Sequence, residues 1–433
     1  MSAALDGADW VVGRGVEGPW RTLTALRAAA AAGELRAALA WLRRKRPAGL
    51  GGWELERSMA ELLAAPAAVR DPLLLFPAFD CWLSLTAGFV AGARPPEEAA
   101  VHFSYFQSFA AAAALLTRRR RSLRVRLSAE GRFHATGTRE YAELPRAAAG
   151  AEAECRTAGG RLEVRWGRAA GHRRLLPALT PELWVERRDP LVLQPVTMHG
   201  LARWGASAEA RFCAVLAKAL ARLRAVDRPL FDELSDFLRL IVPLDNPKSY
   251  GSVSSSYRNL RGALCLSHSD DGLLQEETLI HEFCHLKVNL LFAADPLLKP
   301  GQGGQLLYSP LRSDARRLGG LLLGAHAFIN VNRYILRVLR REAFTARARA
   351  SVQTNVARRL FHVDDMLRTV SLYADLTPVG ERFQARMWRE HALTLHDALD
   401  IPAALMEEGR RRWREHRAKH ALGETGVFVG GAS

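Results

Sequence analysis

Hydrophobic positions recur at helical spacing over most of this chain, and one interior stretch changes to a period of two. Leu23 to Lys45 repeats Ala, Leu and Arg at helical intervals, interrupted at Gly33. Pro47 to Gly52 marks a turn, and a helix follows over Glu54 to Leu63. Phe76-Pro77 opens a helix running toward Phe89. Glu97 to Leu116, rich in Ala and aromatics, reads as a core helix, and the run Arg118 to Arg121 reads as its solvated end. From Ser122 the pattern alternates: Leu123-Arg124-Val125-Arg126-Leu127, then Gly131-Arg132-Phe133-His134 after a turn, then Leu162-Glu163-Val164-Arg165-Trp166 after Gly159-Gly160. Helical spacing returns over Ala208–Leu223 and Leu230–Ile241. Pro243 to Pro247 breaks the chain, Ser249–Ser256 is turn-like, and Ala263–Leu266 reads as a strand, either structural or open at its edge to a peptide. Later helices are expected from Leu318 toward Arg341 and over Val352–Ser371, Pro378–Asp397 and Ala403–Lys419.

These shifts imply an α+β protein, mainly helical, with a small antiparallel β-rich insert. The boundaries they suggest are a helical region over 1–121, a β-rich insert over 122–200, a mainly helical domain over 201–420, and a mobile tail over 421–433.

One helix carries chemistry. Leu279-Ile280-His281-Glu282-Phe283-Cys284-His285-Leu286 reads His-Glu-x-x-His, and residues four apart share one helical face, so both imidazoles can reach one metal ion. Leu279, Phe283, Leu286 and Leu290 recur at i, i+4, i+7 and i+11, which makes the helix amphipathic and partly buried. Ser269 or Asp270 can cap its start, and Asp271 suits the positive end of its dipole. Half-buried histidines need polar partners, and a metal satisfies two at once. The bland alternative is a helix whose histidines merely pack.

Two histidines leave a metal underligated. The extension His-x-x-Gly-x-x-His is absent, since Val288 and Leu291 occupy those places. Asp295, Asp314 and Glu342 are acidic candidates downstream. His326 lies on the helix from Leu318, in a polar row with Asn330 and Arg333, and could approach the same ion. Three histidines, or two with a carboxylate, suit zinc or ferrous iron. His134 and His172, without spaced partners, read as surface histidines.

Composition changes this picture little. The 433 residues are 48% hydrophobic and 24% charged, as in a soluble globular protein, and could hold two or three domains. Net charge is +16, from 61 Lys+Arg against 45 Asp+Glu; this suits an anionic partner or reflects an Arg- and Ala-rich coding background. No nucleic-acid-binding motif accompanies the charge. Five cysteines without a Cys-x-x-Cys suggest a reduced, cytoplasmic setting. No signal peptide and no uninterrupted apolar run of ~18 residues is evident, so no membrane partner is expected. Oligomeric state is not indicated.

Several stretches together resemble a family. In order they are Phe76-Pro77 with Cys81-Trp82, Glu143-Leu144-Pro145-Arg146, Arg261 to Ser267, His281 to His285, Tyr308-Ser309-Pro310-Leu311-Arg312, Leu322 to Phe328, and Leu376-Thr377-Pro378-Val379-Gly380. The string is similar to the HExxH-domain family found beside ribosomally made, post-translationally modified peptides, and it spans most of the chain. Leu311 stands where that family suggests an aromatic residue, and Leu323 where a polar one is common.

The resemblance implies an iron(II)- and 2-oxoglutarate-dependent oxygenase that β-hydroxylates a precursor peptide. In that reading His281 and His285, with His326, hold the metal. The distal carboxylate of 2-oxoglutarate needs a fixed cation and a hydroxyl, which Tyr308, Ser309 and Arg312 could supply; Arg312 could equally form a surface pair with Asp314. Glu282 would orient a ligand. In the competing zinc metallopeptidase it would be the general base, and a third possibility is a peptide-binding module without chemistry.

Overall fold

The protein is described by a computed structural model covering residues 19–196, 200–202, 204–246, 251–302 and 304–420. The 421–433 segment expected as a tail lies outside the described residues, as do the first residues of the Ser249–Ser256 stretch. In chain order the first helices are α1 (Pro19–Lys45), α2 (Leu55–Ala64), α3 (Ala67–Leu74), α4 (Pro77–Val90), α5 (Ala99–Ser104) and α6 (Phe106–Leu116). Strands β1 (Arg121–Arg126), β2 (Arg132–His134), β3 (Glu140–Glu143), β4 (Glu152–Ala158), β5 (Arg161–Trp166), β6 (Ala169–Ala170), β7 (His172–Leu175) and β8 (Trp184–Val185) follow, then α7 (Pro190–Leu193), α8 (Ala206–Val226) and α9 (Arg228–Phe237). The remainder is β9 (Leu240–Leu244), β10 (Ser254–Ser255), β11 (Ala263–Ser267), α10 (Gly272–Ala294), β12 (Leu306–Leu307), β13 (Arg316–Arg317), α11 (Leu318–Arg341), α12 (Ala346–Tyr373), α13 (Pro378–Asp397) and α14 (Ala403–His420). The fold is mainly helical α+β with small sheets.

The chain forms two compact units. One comprises Thr24–Ala214 and Phe237–His268; the other comprises Met1–Leu23, Val215–Asp236 and Ser269–Ser433. These limits do not coincide with the sequence boundaries near 121 and 200.

The first unit holds three sheets, ordered β1-β4-β5-β6, β2-β3-β7 and β10-β11-β9-β8. Alternation sets the first: Leu123, Val125, Cys155 and Val164 point inward, while Arg124 stays outside and its Nε donates to Glu152 at 2.7 Å. An aromatic core of Phe79, Trp82, Phe103, Phe106 and Phe109 is fully buried, at about 1.5–3 kcal/mol per side chain. Within the stretch read as a core helix, Ala99–Leu116 is long and apolar enough to cross a membrane by composition, and 72% of it is buried within the fold.

Two expectations for this unit need correction. The helix expected over Leu230–Ile241 ends at Phe237, and β9 follows. A short apolar run such as Leu240 to Leu244 suits a fully buried strand as well as a helix, and here all five residues are buried. Pro243 is tolerated because β8 pairs only with Leu240 and Ile241. In addition, β11 is no open edge: it lies between β10 and β9, antiparallel to the first and parallel to the second. That sheet is therefore mixed.

In the second unit α11 packs against α10, α12 and α13, and α14 lies on α12. Asp271, not Ser269 or Asp270, caps α10, accepting from Leu273 N at 3.0 Å and Leu274 N at 3.2 Å. The buried Lys287 Nζ donates to Glu233 at 2.9 and 3.1 Å and ties α10 to α9.

The Leu376–Gly380 stretch explains itself. Thr377 caps α13 by accepting from Gly380 N at 3.0 Å, its hydroxyl donates to Asp295 at 2.7 Å, and Pro378 opens the helix. Leu297 accepts from Thr377 N at 3.0 Å, so the chain passes very close to Gly380; any Cβ there would collide with the Leu297 carbonyl oxygen. Gly324 likewise receives Leu311, whose Cδ1 would lie 3.2 Å from an added Cβ.

Candidate functional site

α10 buries Leu279, Phe283, Leu286 and Leu290, the four positions its periodicity marks. The next stripe carries Glu277, His281 and His285 at successive turns. The two imidazole rings lie 4.3 Å apart, centroid to centre, at 73°. Burial, the neighbouring His285 and the Arg359 guanidinium hold His281 well below the usual histidine range. Burial lowers His285 to about 4. Both rings are thus neutral near pH 7, as ligation requires. His285 Nδ1 is buried without a hydrogen-bond partner.

Neighbouring helices complete the surroundings. Phe328 of α11 places its ring 4.9 Å from His281. Arg359 of α12 lies over the Phe328 ring, its Cζ 5.6 Å from the centroid. One Arg359 nitrogen, Nη2, donates to Glu277; the other, Nη1, is buried without a partner. Glu282 is buried within α10.

His326 is not brought to the pair. Its ring is fully buried 5.6 Å from Phe383 of α13. Phe328, two residues on and so about 200° around the helix, is the side chain that meets His281. The row His326, Asn330, Arg333 belongs to the α13 side, where Arg333 approaches Glu390 at 3.8 Å. Among the described residues no group of three His, Cys, Asp or Glu that includes His281 and His285 has ligand atoms within 4.8 Å of one another.

The acidic candidates are engaged elsewhere. Asp295 accepts from Leu297 N at 2.8 Å and from Thr377. Asp314 pairs with Arg312 at 3.2 Å and Arg316 at 2.8 Å, and Glu342 with Arg222 at 2.7 Å.

The Tyr308–Arg312 set also divides. Tyr308 and Ser309 are buried, and Tyr308 Oη lies 2.9 Å from His416 Nδ1 of α14. Arg312 has 60% of its side chain exposed and forms the surface pair with Asp314. A five-residue spacing put three polar groups near one another in sequence, but the turn after Ser309 sends Arg312 outward.

Sequence reasoning missed two clusters. On α12, Arg358, Arg359 and His362 share one face; their i, i+1, i+4 spacing was the available signal. In the first unit His134 is buried rather than superficial, stacked on Tyr141, with Nδ1 3.6 Å from Glu186. Asp189 joins them within 4.8 Å. Both carboxylates already have protein partners: Asp189 caps α7 and accepts from Thr136 at 2.8 Å, and Glu186 accepts from the backbone of Arg188 at 2.6 Å. His172 is exposed, as expected.

No protein-family model matches the chain, and no curated protein matches it.

Proposed function

We propose that the chain is an iron(II)- and 2-oxoglutarate-dependent oxygenase that β-hydroxylates residues of a ribosomally made precursor peptide. The observation that carries this reading is the pair His281–His285, two imidazoles kept neutral by burial on one stripe of α10, with a buried arginine alongside. The two donors suit a borderline divalent metal, being neutral ring nitrogens with the His285 Nδ1 free to take an orienting contact, though no third protein ligand joins them among the described residues. His281 and His285 would hold the metal and leave its other positions to co-substrate and oxygen. Bound there, ferrous iron with a 2-oxo acid would supply the oxidising chemistry.

The chain's own residues then exclude water and set orientation. Phe328 shields the His281 ring, and the buried Glu282 would orient a ligand. The half-buried Arg358 and Arg359 of α12, each with a buried nitrogen that has no partner, favour an anionic co-substrate over the neutral peptide bond that a zinc peptidase would engage. The proposed setting is the cytoplasm, in keeping with five free cysteines, four of them buried.

The test is to incubate the protein with its candidate peptide in air and without oxygen, with and without 2-oxoglutarate, and to weigh the products. An intact peptide carrying one added oxygen atom only when oxygen, iron and 2-oxoglutarate are all present is the expected result. Cleavage fragments formed without oxygen or co-substrate would establish the zinc peptidase instead.

A further inference from the structure

α12 presents an unusual concentration of buried polar atoms without hydrogen-bond partners: two guanidinium N–H groups and both nitrogens, one donor and one acceptor, of a neutral imidazole. Arg359 Nη1, Arg358 Nε and both ring nitrogens of His362 are buried and make no hydrogen bond. A buried polar group left unpaired costs about 1–3 kcal/mol, and more when charged, so four such atoms on one helical face mark a place built for something absent from the chain. The three residues span about 100° of the helix, and they sense one another: Arg358 and Arg359 each depress His362, and Arg359 depresses Arg358.

The charge balance says what that partner is. Glu277 is the one carboxylate paired with Arg359, and it is also the one carboxylate felt by Arg358, against the two cations Arg359 and Arg412. Gly409 lets α14 close on this face; a Cβ there would come within 2.7 Å of Arg358 N. His416 of α14 stands 6.1 Å from His362. Arginine's planar fork pairs with carboxylates in two-pronged fashion, and Arg359 has one prong already on a carboxylate and the other open.

We propose that Arg359, supported by Arg358 and His362, forms a carboxylate-binding site beside His281 and His285. This replaces Arg312 as the cation for an acidic ligand, and it stands without the oxygenase reading because it needs no metal. The carboxylate comes either from a small dicarboxylic acid or from an acidic side chain of a bound peptide.

The test uses metal-free protein and calorimetric titration with two probes: glutarate, which lacks a 2-oxo group, and a short Glu-containing peptide. Glutarate binding that weakens at least about tenfold in Arg359→Gln, and not in Arg312→Gln, is expected. Because Arg359→Gln leaves Glu277 unpaired, the double variant Glu277→Gln with Arg359→Gln guards against misfolding and should show the same loss; Arg359→Lys, which keeps the charge without the fork, should be intermediate. Arg359-dependent binding of the peptide alone would keep the site and identify the peptide as its source. Folded wild-type protein that binds neither probe, or variants that bind both as well as wild type does, would overturn the proposal. Loss of hydroxylating activity has no bearing on these titrations, so the two readings fail separately.

Discussion

The ring of Phe328 lies 4.9 Å from that of His281, while His326, two residues earlier on the same helix, faces Phe383. A helix cannot aim residues i and i+2 in one direction, so the side chain of α11 that meets His281 is a hydrocarbon. His326→Ala is therefore expected to leave metal content unchanged while lowering stability by about 2 kcal/mol through a buried cavity. Metal analysis of the purified variant, beside a denaturant titration, checks both halves; a variant that folds normally but loses its metal would make His326 a ligand.

His281→Ala and His285→Ala should each reduce bound iron or zinc at least about tenfold, since either change leaves a single protein imidazole. Unchanged metal content in soluble, folded variants would remove the site.

Arg312→Leu should alter neither 2-oxoglutarate binding nor stability by more than about 0.5 kcal/mol, because an exposed ion pair contributes little. A clear loss of co-substrate binding would restore Arg312 to the site.

Stability should fall on mild acidification. Burial lowers His391 to about 4 and, with Arg94 nearby, His102 to about 3; burial with Arg358, His416 and Arg359 lowers His362 to about 3. Their unfolded pKa is near 6.5, so below that value the unfolded chain binds protons that the native state refuses. The stabilisation is complete above about pH 6.5 and is lost as pH falls from there through the folded values, down to about 3. Denaturant midpoints measured between pH 7.5 and pH 5 should drop, and His102→Phe should flatten part of the slope. A midpoint constant across this range would contradict the prediction.

Gly380→Ala should destabilise by about 3 kcal/mol or more, since the Leu297 carbonyl occupies the space of the new methyl group. Thermal melting against Gly320→Ala, where the nearest atom outside the helix backbone is 3.6 Å away, provides the control.

Local patterns were readable where one element alone determined them. The periodicity around His281 gave α10 its buried face, alternation gave β1 and β5, and Pro378 gave the start of α13. Leu230 to Ile241 was not readable, because an apolar run carries no period that separates helix from buried strand. His134 looked superficial since its partners, Glu186 and Asp189, lie more than fifty residues away. Arg359 was invisible for the same reason: only the packing of α12 on α10 and α11 brings it to Glu277 and Phe328. Arg312 misled because proximity in sequence says nothing of direction across a turn.

The path of the chain between its two units has a consequence for fragments. The helical unit takes Val215–Asp236 from ahead of β9, and the sheet-bearing unit takes Phe237–His268 after it. A protein begun at residue 201 would keep β9, β10 and β11 but lose β8 and the aromatic core of α4 to α6, stranding five consecutive apolar residues of β9 in solvent. Such a piece should aggregate, and limited proteolysis of the whole chain should release no soluble helical half by a single cut.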